Sequence, residues 1–188
     1  MSDWEIVKSE ALIKDRHLLI KQIREIHPWI LENLKLNHST WDFGKYNIFG
    51  SLCGSVPAWH LYHDICTNVR RVFNSSKPIW MQAWVNFDMP DKVLDWHTHG
   101  WPLHGYVSID CKSTQTQFRK TEPEKDDTDP TIDYIIDNED GNIYIGPGNR
   151  WHKVKVLRSY PTPRITIGFD VTDRTDRGDG NHGLMPVL

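Results

Sequence analysis

Two histidines separated by a single residue, His97 and His99, are the side chains of this chain best suited to metal chemistry. If residues 93–99 form a strand, both imidazoles point to the same side, because side chains alternate across a strand. A third histidine, His152, lies much further along the chain, shortly after a Gly-Pro-Gly turn sequence. Neutral imidazoles are typical ligands of iron, copper, nickel or zinc rather than of calcium or magnesium. The spacing therefore predicts a transition-metal site.

An arginine on a later segment could bind an anion close to that metal. Residues 164–171 alternate between two faces, with Arg164 and Thr166 on one face and apolar residues on the other. A guanidinium that points into a protein interior needs an anionic partner, and its planar fork suits a carboxylate. That partner is either a structural Asp or Glu or a bound molecule. We favour the bound molecule, because the strand of Arg164 is expected beside that of His152.

These residues need a fold that brings distant segments together, and the hydrophobic pattern predicts one. Helical periodicity runs through residues 11–36, with a break near His27 and Pro28, and again through residues 58–73. The pattern then changes to short runs typical of strands. The predicted strands span residues 79–87, 93–99, 104–109, 116–118, 134–136, 143–145, 153–157 and 164–171. They predict a mainly β protein with N-terminal α-helices, in which a double-stranded β-helix (a jelly-roll, cupin-like barrel) is braced by helices.

Length and composition limit the classes of protein that fit. A chain of 188 residues with net charge -3 and scattered lysines and arginines predicts a single domain without a patch for nucleic acid. We divide it into a helical support region (1–77), a jelly-roll core (78–171) and an irregular tail (172–188). The widely spaced cysteines predict reduced thiols. The absence of a signal-peptide pattern and of long apolar runs predicts a soluble, cytoplasmic protein with no membrane partner.

Two further features lie near the histidines in the sequence. The charged segment 119–131 is predicted to be a solvated surface loop, with a role as a lid over the barrel mouth as a second possibility. Most of the nine tryptophans are expected in the core. We expect Trp96, Trp101 and Trp151 to line a cleft instead, because they adjoin the histidines.

Several of these segments resemble the motifs of an enzyme family. The segments are Trp84-Val85-Asn86, His97-Thr98-His99, Gly105-Tyr106-Val107-Ser108, His152 and Arg164-Ile165-Thr166. In them the chain resembles the Fe(II)- and 2-oxoglutarate-dependent oxygenases of the double-stranded β-helix type, particularly a small group found in bacteria and tailed bacteriophages. The resemblance covers residues 79–171, and the N-terminal helices carry no motif of their own.

The resemblance implies Fe(II) and 2-oxoglutarate as cofactors, and it implies a role for each motif residue. His97 takes the first ligand position and His152 the distal one, while Arg164 binds the distal carboxylate of 2-oxoglutarate. Thr166 and Tyr106 offer hydroxyl groups to the same carboxylate. The implied reaction decarboxylates 2-oxoglutarate to succinate and abstracts hydrogen from a prime substrate that the sequence does not name. The implied location is the cytoplasm of a bacterium or of a phage-infected host.

The chain departs from the family pattern at His99, where members of the family carry an aspartate or glutamate ligand. Three explanations are open: His99 is itself a ligand, Asp95 takes its place, or the site binds a metal without hydroxylase activity. We favour His99, because a strand would place it beside His97 on one face. Asp95 would share that face and is the reserve ligand.

Two other functions fit parts of the pattern. The first is a cupin-type, metal-dependent isomerase or dioxygenase that does not use 2-oxoglutarate, because the HxH pair and the spacing Gly141-x5-Pro147-x4-His152 are similar to loose cupin motifs. Residues 100–108 contain no glutamate where the cupin motif expects one, and Arg164 would have no role. The second is a non-catalytic jelly-roll binding protein, which would bind no metal at a stoichiometry near one.

Overall fold

The computed structural model describes residues 3–34, 39–41, 45–74, 76–123, 131–174 and 183–188. Its helices are α1 (Glu10–Leu34), α2 (Ile48–Ser51) and α3 (Val56–Phe73). Its strands are β1 (Glu5–Lys8), β2 (Trp80–Asp88), β3 (Leu103–Asp110), β4 (Thr114–Arg119), β5 (Tyr134–Asp137), β6 (Asn142–Pro147), β7 (Trp151–Val156), β8 (Arg164–Thr172) and β9 (Met185–Pro186). None of the described helices combines the length and apolarity that crossing a membrane requires.

The strands form two antiparallel sheets that contact each other through their inner faces. The larger sheet has the order β1-β6-β3-β8-β2-β9, and the smaller has the order β5-β4-β7. Phe118 of β4 and Tyr144 of β6 join the two sheets, with their ring centroids 4.7 Å apart. This is a jelly-roll-like arrangement, as the sequence predicted. A closed barrel is not found among the described residues, whose strands form two separate hydrogen-bonded sheets.

The two faces of the larger sheet have opposite characters. Ile165, Ile167 and Phe169 of β8 are fully buried on the outer face, where they belong to one apolar core with α1 and α3. On the inner face, Arg164 and Thr166 are also buried, although both are polar. Each apolar side chain of this size contributes about 1.5–3 kcal/mol when buried. The helices therefore stabilise one side of the sheet and leave the other side for polar groups.

The two long helices are close to their predicted positions. Ser55 caps α3, because its side chain accepts a hydrogen bond from the backbone N–H of Ala58. The break predicted in α1 near His27 and Pro28 was wrong, since the helix continues through the proline. A proline inside a helix removes one backbone hydrogen bond. Here the buried His27 ring stacks on Phe87 at 3.8 Å, and this tertiary contact helps to hold the helix in place on the sheet.

The predicted strands are present with shifted ends, except for residues 93–99. Only His97 of that segment makes a strand-like pairing, an isolated bridge to His152. The β1 and β9 strands and the short α2 were not predicted, because runs this short carry little periodicity. The tail was predicted to be irregular, but β9 pairs with β2 and Val187 is buried. Of the predicted loop 119–131, the structure describes 119–123 and 131.

Gly148 allows the segment that carries His99 to cross the turn between β6 and β7. The carbonyl of Gly148 accepts a hydrogen bond from the backbone N–H of His99 at 2.8 Å. A Cβ atom on Gly148 would overlap the carbonyl oxygen of Trp101, which is backbone and cannot rotate away. The absence of a side chain at this position is therefore required for the crossing.

We predict that Gly148→Ala lowers the free energy of unfolding by about 1–3 kcal/mol, the usual cost of overpacking. Chemical denaturation of the metal-free protein measures this change. Gly100→Ala, in the same crossing, is the matched control, because a Cβ there meets no atom within 4 Å. Equal stabilities for the two variants would contradict the steric argument.

Candidate metal centre

A cavity of about 280 Å³ lies between the inner faces of the two sheets. This volume is close to the lower limit of ligand pockets, which is about 300 Å³. The lining residues are Ser39, Trp41, Trp84, Asn86, Asp88, Leu94, His97, Thr98, His99, His104, Tyr106, Thr116, His152, Val154, Arg164, Thr166 and Gly168. The cavity therefore contains all three preferred metal ligands and all three residues with a predicted co-substrate role, but not the reserve ligand Asp95.

His97, His99 and His152 converge in this cavity. One ligand nitrogen from each of them lies within 4.8 Å of the other two. The ring centroids of His97 and His152 are 4.2 Å apart, and each is 5.3 Å from that of His99. Reciprocal backbone hydrogen bonds of 3.0 and 2.9 Å between His97 and His152 fix this arrangement. Three imidazoles so close together form a candidate site for a transition metal.

The hydrogen bonds of His97 and His152 show which ring nitrogen is available. Nδ1 of His97 donates to the carbonyl of Asp95 at 2.7 Å, and Nδ1 of His152 donates to the carbonyl of Arg150 at 3.0 Å. A backbone carbonyl only accepts, so both Nδ1 atoms carry the proton of the neutral ring. The lone pair is then on Nε2, the atom that a metal would bind.

His99 also donates a hydrogen bond from Nδ1, but its acceptor is a carboxylate instead of a backbone carbonyl. Its Nδ1 donates to Oδ2 of Asp170 at 3.1 Å, and Nδ1 of His104 donates to Oδ1 of Asp170 at 2.9 Å. Nε2 of His99 is buried and has no hydrogen-bond partner among the residues that the structure describes. A buried polar atom without a partner costs about 1–3 kcal/mol. A metal ion held by the three histidines would satisfy that atom, so these residues fit a bound metal.

Burial sets the protonation states around this cluster. It lowers the pKa of His97, and it lowers that of His152 well below the ordinary value, with further lowering from neighbouring histidines. Both rings are therefore neutral near pH 7, the form that binds metals. Burial alone would raise the pKa of Asp170, but His99 and the hydrogen bonds from His104 and His99 lower it. Asp170 is therefore an ionised carboxylate.

Asp95, the reserve ligand of the sequence analysis, lies apart from the cluster. Its side chain is exposed and borders a separate surface depression together with Lys153 and Lys155. The prediction that Asp95 shares a face with His97 and His99 was wrong, because residues 93–99 do not form a continuous strand. Asp95 contributes its backbone carbonyl instead, which orients His97.

Arg164 lies in the same cavity and forms an ion pair with Asp88. The two side chains are almost fully buried and opposite each other in the pairing of β8 with β2. Nη1 of Arg164 donates to Oδ2 of Asp88 at 2.8 Å, whereas Nε of Arg164 is buried and has no partner in the described part of the chain. Arg164 therefore has a structural carboxylate as its partner, one of the two alternatives that the sequence analysis left open. This carboxylate does not use the whole guanidinium.

Thr166 and Tyr106 line the cavity as well. The Thr166 hydroxyl accepts a hydrogen bond of 3.4 Å from the amide of Asn86. The Tyr106 hydroxyl donates its proton to Oδ1 of Asn138 at 3.1 Å, and burial raises the pKa of Tyr106. Thr166 keeps its own proton for a further acceptor. Tyr106, in contrast, would have to leave Asn138 to donate to another group.

The aromatic walls differ from the prediction. Trp84 and Trp41 line the cavity, whereas Trp96, Trp101 and Trp151 do not. Trp96 lies under the ammonium of Lys153, which is 4.8 Å from its ring centroid. Proximity in sequence to the histidines was therefore a poor guide, because side chains of neighbouring residues point in different directions.

Three charged or ionisable residues of the site were not assigned a role in it from the sequence. Asp170 continues the alternation of Arg164 and Thr166 along β8, so the period of two could have indicated it. Asp88 is paired with Arg164 only through the register of two strands, which a single sequence does not reveal. His104, on β3, lines the same cavity and donates to Asp170.

We predict that the metal-free protein loses stability as the pH falls from 6.5 to about 4. Burial lowers the pKa of His104 from 6.5 to about 4, so in this range the unfolded chain binds a proton that the folded protein does not. Each such group costs at most about 1.4 kcal/mol per pH unit. Urea denaturation in the presence of a chelator measures the slope. His104→Gln should make the slope shallower, and an unchanged slope would contradict the assignment.

Comparisons with known proteins give matches in structure alone. No protein-family profile and no curated protein matches the chain. A crystallised prolyl-4-hydroxylase from Pseudomonas putida matches with a TM-score of 0.58 and 9% identity, over 92% of this chain and 93% of that one. The non-heme, α-ketoglutarate-dependent epimerase SnoN from nogalamycin biosynthesis matches with a TM-score of 0.54 and 9% identity, over 89% and 76%.

A third match, an oxidoreductase of the 2OG-Fe(II) oxygenase family from Burkholderia pseudomallei, has a TM-score of 0.47 and 8% identity. It covers 65% of this chain, which spans about half of that protein (55%). Identities this low concern the fold and leave the chemistry to be argued from the site. The chain has the fold of the crystallised prolyl-4-hydroxylase and of the SnoN epimerase.

Proposed function

We propose that the chain is an Fe(II)- and 2-oxoglutarate-dependent oxygenase that acts on a prime substrate still to be found. One observation carries the proposal: a single cavity between the two sheets holds three converging imidazoles and an arginine whose buried Nε has no partner among the described residues. The imidazoles suit Fe(II), and the arginine suits the far carboxylate of a dicarboxylic acid. The fold shared with the prolyl-4-hydroxylase and SnoN supports the same assignment.

His97, His99 and His152 would hold the iron through Nε2. When bound together with 2-oxoglutarate, the iron supplies the oxidising power of O2 for attack on a C–H bond, at the cost of converting 2-oxoglutarate to succinate and CO2. The protein contributes the geometry. The hydrogen bonds from each Nδ1 to Asp95, Asp170 and Arg150 fix the ring orientations before a metal arrives. The burial of His99 and His152 restricts the access of water to that side of the cluster.

Arg164 would bind the distal carboxylate of 2-oxoglutarate with the part of its guanidinium that Asp88 does not use. A buried guanidinium without an anion is costly, and Asp88 compensates this charge when no co-substrate is bound. The ion pair also holds the side chain in one position. Thr166, two residues along on the same face of β8, can donate its hydroxyl proton to the same carboxylate.

The metal assignment predicts that His97→Ala and His152→Ala each abolish stoichiometric Fe(II) binding, because each removes one of three protein ligands. Isothermal titration calorimetry under anaerobic conditions measures Fe(II) binding, and circular dichroism checks that the fold is intact. His60→Ala is the control, since His60 is exposed on α3 and outside the cavity. Full metal occupancy in either ligand variant would refute the site.

The co-substrate assignment predicts that Arg164→Gln weakens 2-oxoglutarate binding while Fe(II) binding is retained. Hydrogen bonds to charged groups contribute about 1.5–3 kcal/mol, so we expect a loss of roughly 10–100-fold. The visible charge-transfer band of the anaerobic iron chelate reports this binding.

Arg164→Gln leaves Asp88 buried without its cation, which can destabilise the protein by about 3–5 kcal/mol. The double variant Asp88→Asn/Arg164→Gln removes both charges and serves as the matched control for folding. It should lose 2-oxoglutarate binding as well. If both variants keep the wild-type affinity, or if the wild type gives no chelate band, the cavity belongs to a metal-dependent enzyme of the cupin type that does not use 2-oxoglutarate.

A further inference from the structure

We propose that Asp170 is a positioning residue that supplies, through His99, the negative charge that a site of three histidines lacks. This inference rests on the metal site of the proposed function and goes one step beyond its ligands. Three neutral imidazoles contribute no charge to a divalent cation in a buried cavity. Asp170, hydrogen-bonded directly to one of the three rings, is the anion that can compensate this cation.

The contacts of Asp170 are unusual for a buried carboxylate. Its side chain is 1% exposed, and both oxygens are used by imidazoles, Oδ2 by His99 and Oδ1 by His104. Among the described residues, no lysine or arginine forms an ion pair with it. An ionised carboxylate in such a position is costly unless a cation compensates it. The cavity side of His99 is where that cation would bind, because Nε2 of His99 is buried there without a partner.

The fold keeps Asp170 behind His99. On β8 it lies between Gln82 of β2 and His104 of β3 in the pairing of the central strands. It is not a member of the group formed by His97, His99 and His152, but it forms a second such group with His99 and His104. In that second group its two oxygens already accept hydrogen bonds from Nδ1 of the two rings. Asp170 therefore acts through the imidazole of His99 and does not replace it.

Stacking of aromatic rings fixes the plane of the His99 imidazole toward Asp170. The rings of His99 and His104 stack with their centroids 3.7 Å apart and their planes within 10° of parallel, and Trp84 stacks against both. His104 donates a hydrogen bond to one oxygen of Asp170, and the other oxygen accepts the hydrogen bond from Nδ1 of His99. A carboxylate that accepts the Nδ1 proton makes Nε2 a more basic and stronger ligand.

Metal titration of a double-mutant cycle tests this inference. The proteins are the wild type, Asp170→Asn, His99→Asp and the double variant, each titrated anaerobically with Fe(II) and, in parallel, with Co(II). Loss of a hydrogen-bonding partner of a metal ligand typically costs about 10–100-fold in metal affinity. We expect that loss for Asp170→Asn in the wild-type background. In the His99→Asp background the carboxylate is itself on the metal, and the loss should disappear.

Asp110→Asn is the matched control. It also neutralises an aspartate of the larger sheet, but Asp110 forms ion pairs with Arg16 and Arg24 and is not among the residues that line the cavity. Its metal affinity should equal that of the wild type. An Asp170→Asn protein that folds and binds metal as tightly as the wild type would overturn the inference. An equal loss in both backgrounds would also overturn it, because the effect would then not pass through His99.

If Asp170→Asn does not fold, the wild-type protein still provides a test. In the Zn(II)-loaded protein, the Nδ1 protons of His99 and His104 should give slowly exchanging NMR signals at low field, and His104→Gln assigns one of them. Absence of the His99 signal would refute the hydrogen bond. Failure of the proposed metal site has a different outcome, because His99→Ala would then leave metal binding unchanged.

Discussion

The reciprocal backbone hydrogen bonds between His97 and His152 are the interaction on which the whole site depends. They fasten an irregular segment to the start of β7, and so they bring ligands from two distant parts of the chain into one cluster. The third ligand, His99, is placed by a further backbone hydrogen bond to the turn that precedes β7. Backbone groups thus set the positions of all three imidazoles, and side-chain hydrogen bonds only set their rotation.

Because one face of β8 is apolar and the other is polar, a protein of this size can hold such a cluster and remain stable. Its apolar face belongs to the core that includes both long helices, and this burial is the main source of stability. Its other face can then carry Arg164 and Asp170, which would destabilise an ordinary core. Each of these charges has partners on a neighbouring strand or on the histidine segment. The polar groups are therefore satisfied mostly across the sheet and across the cavity, between residues far apart in sequence.

The sequence was a good guide wherever one segment contains the whole signal. The HxH pair, His152 after its turn and the alternation from Arg164 onward are local patterns, and all three led to residues of the cavity. The errors arise where contacts between residues far apart in the sequence determine the local structure. The α1 helix continues through Pro28, next to the contact of His27 with the distant Phe87. The segment of His97 pairs irregularly with β7 instead of forming a strand. Whether the two sheets close into a barrel likewise depends on strand registers that no local pattern encodes.

The isolated bridge at His97 also has a consequence for dynamics. The segment that carries two of the three candidate ligands is attached to β7 by few backbone hydrogen bonds, so it is a unit that can open locally without unfolding of the sheets. An ion bound to His97, His99 and His152 would act as a cross-link between this segment and β7. Because such an ion binds only the closed form, its binding free energy would be added to the local stability of the segment. Amide protection around His97 would then report metal occupancy, even where the global stability of the protein changes little.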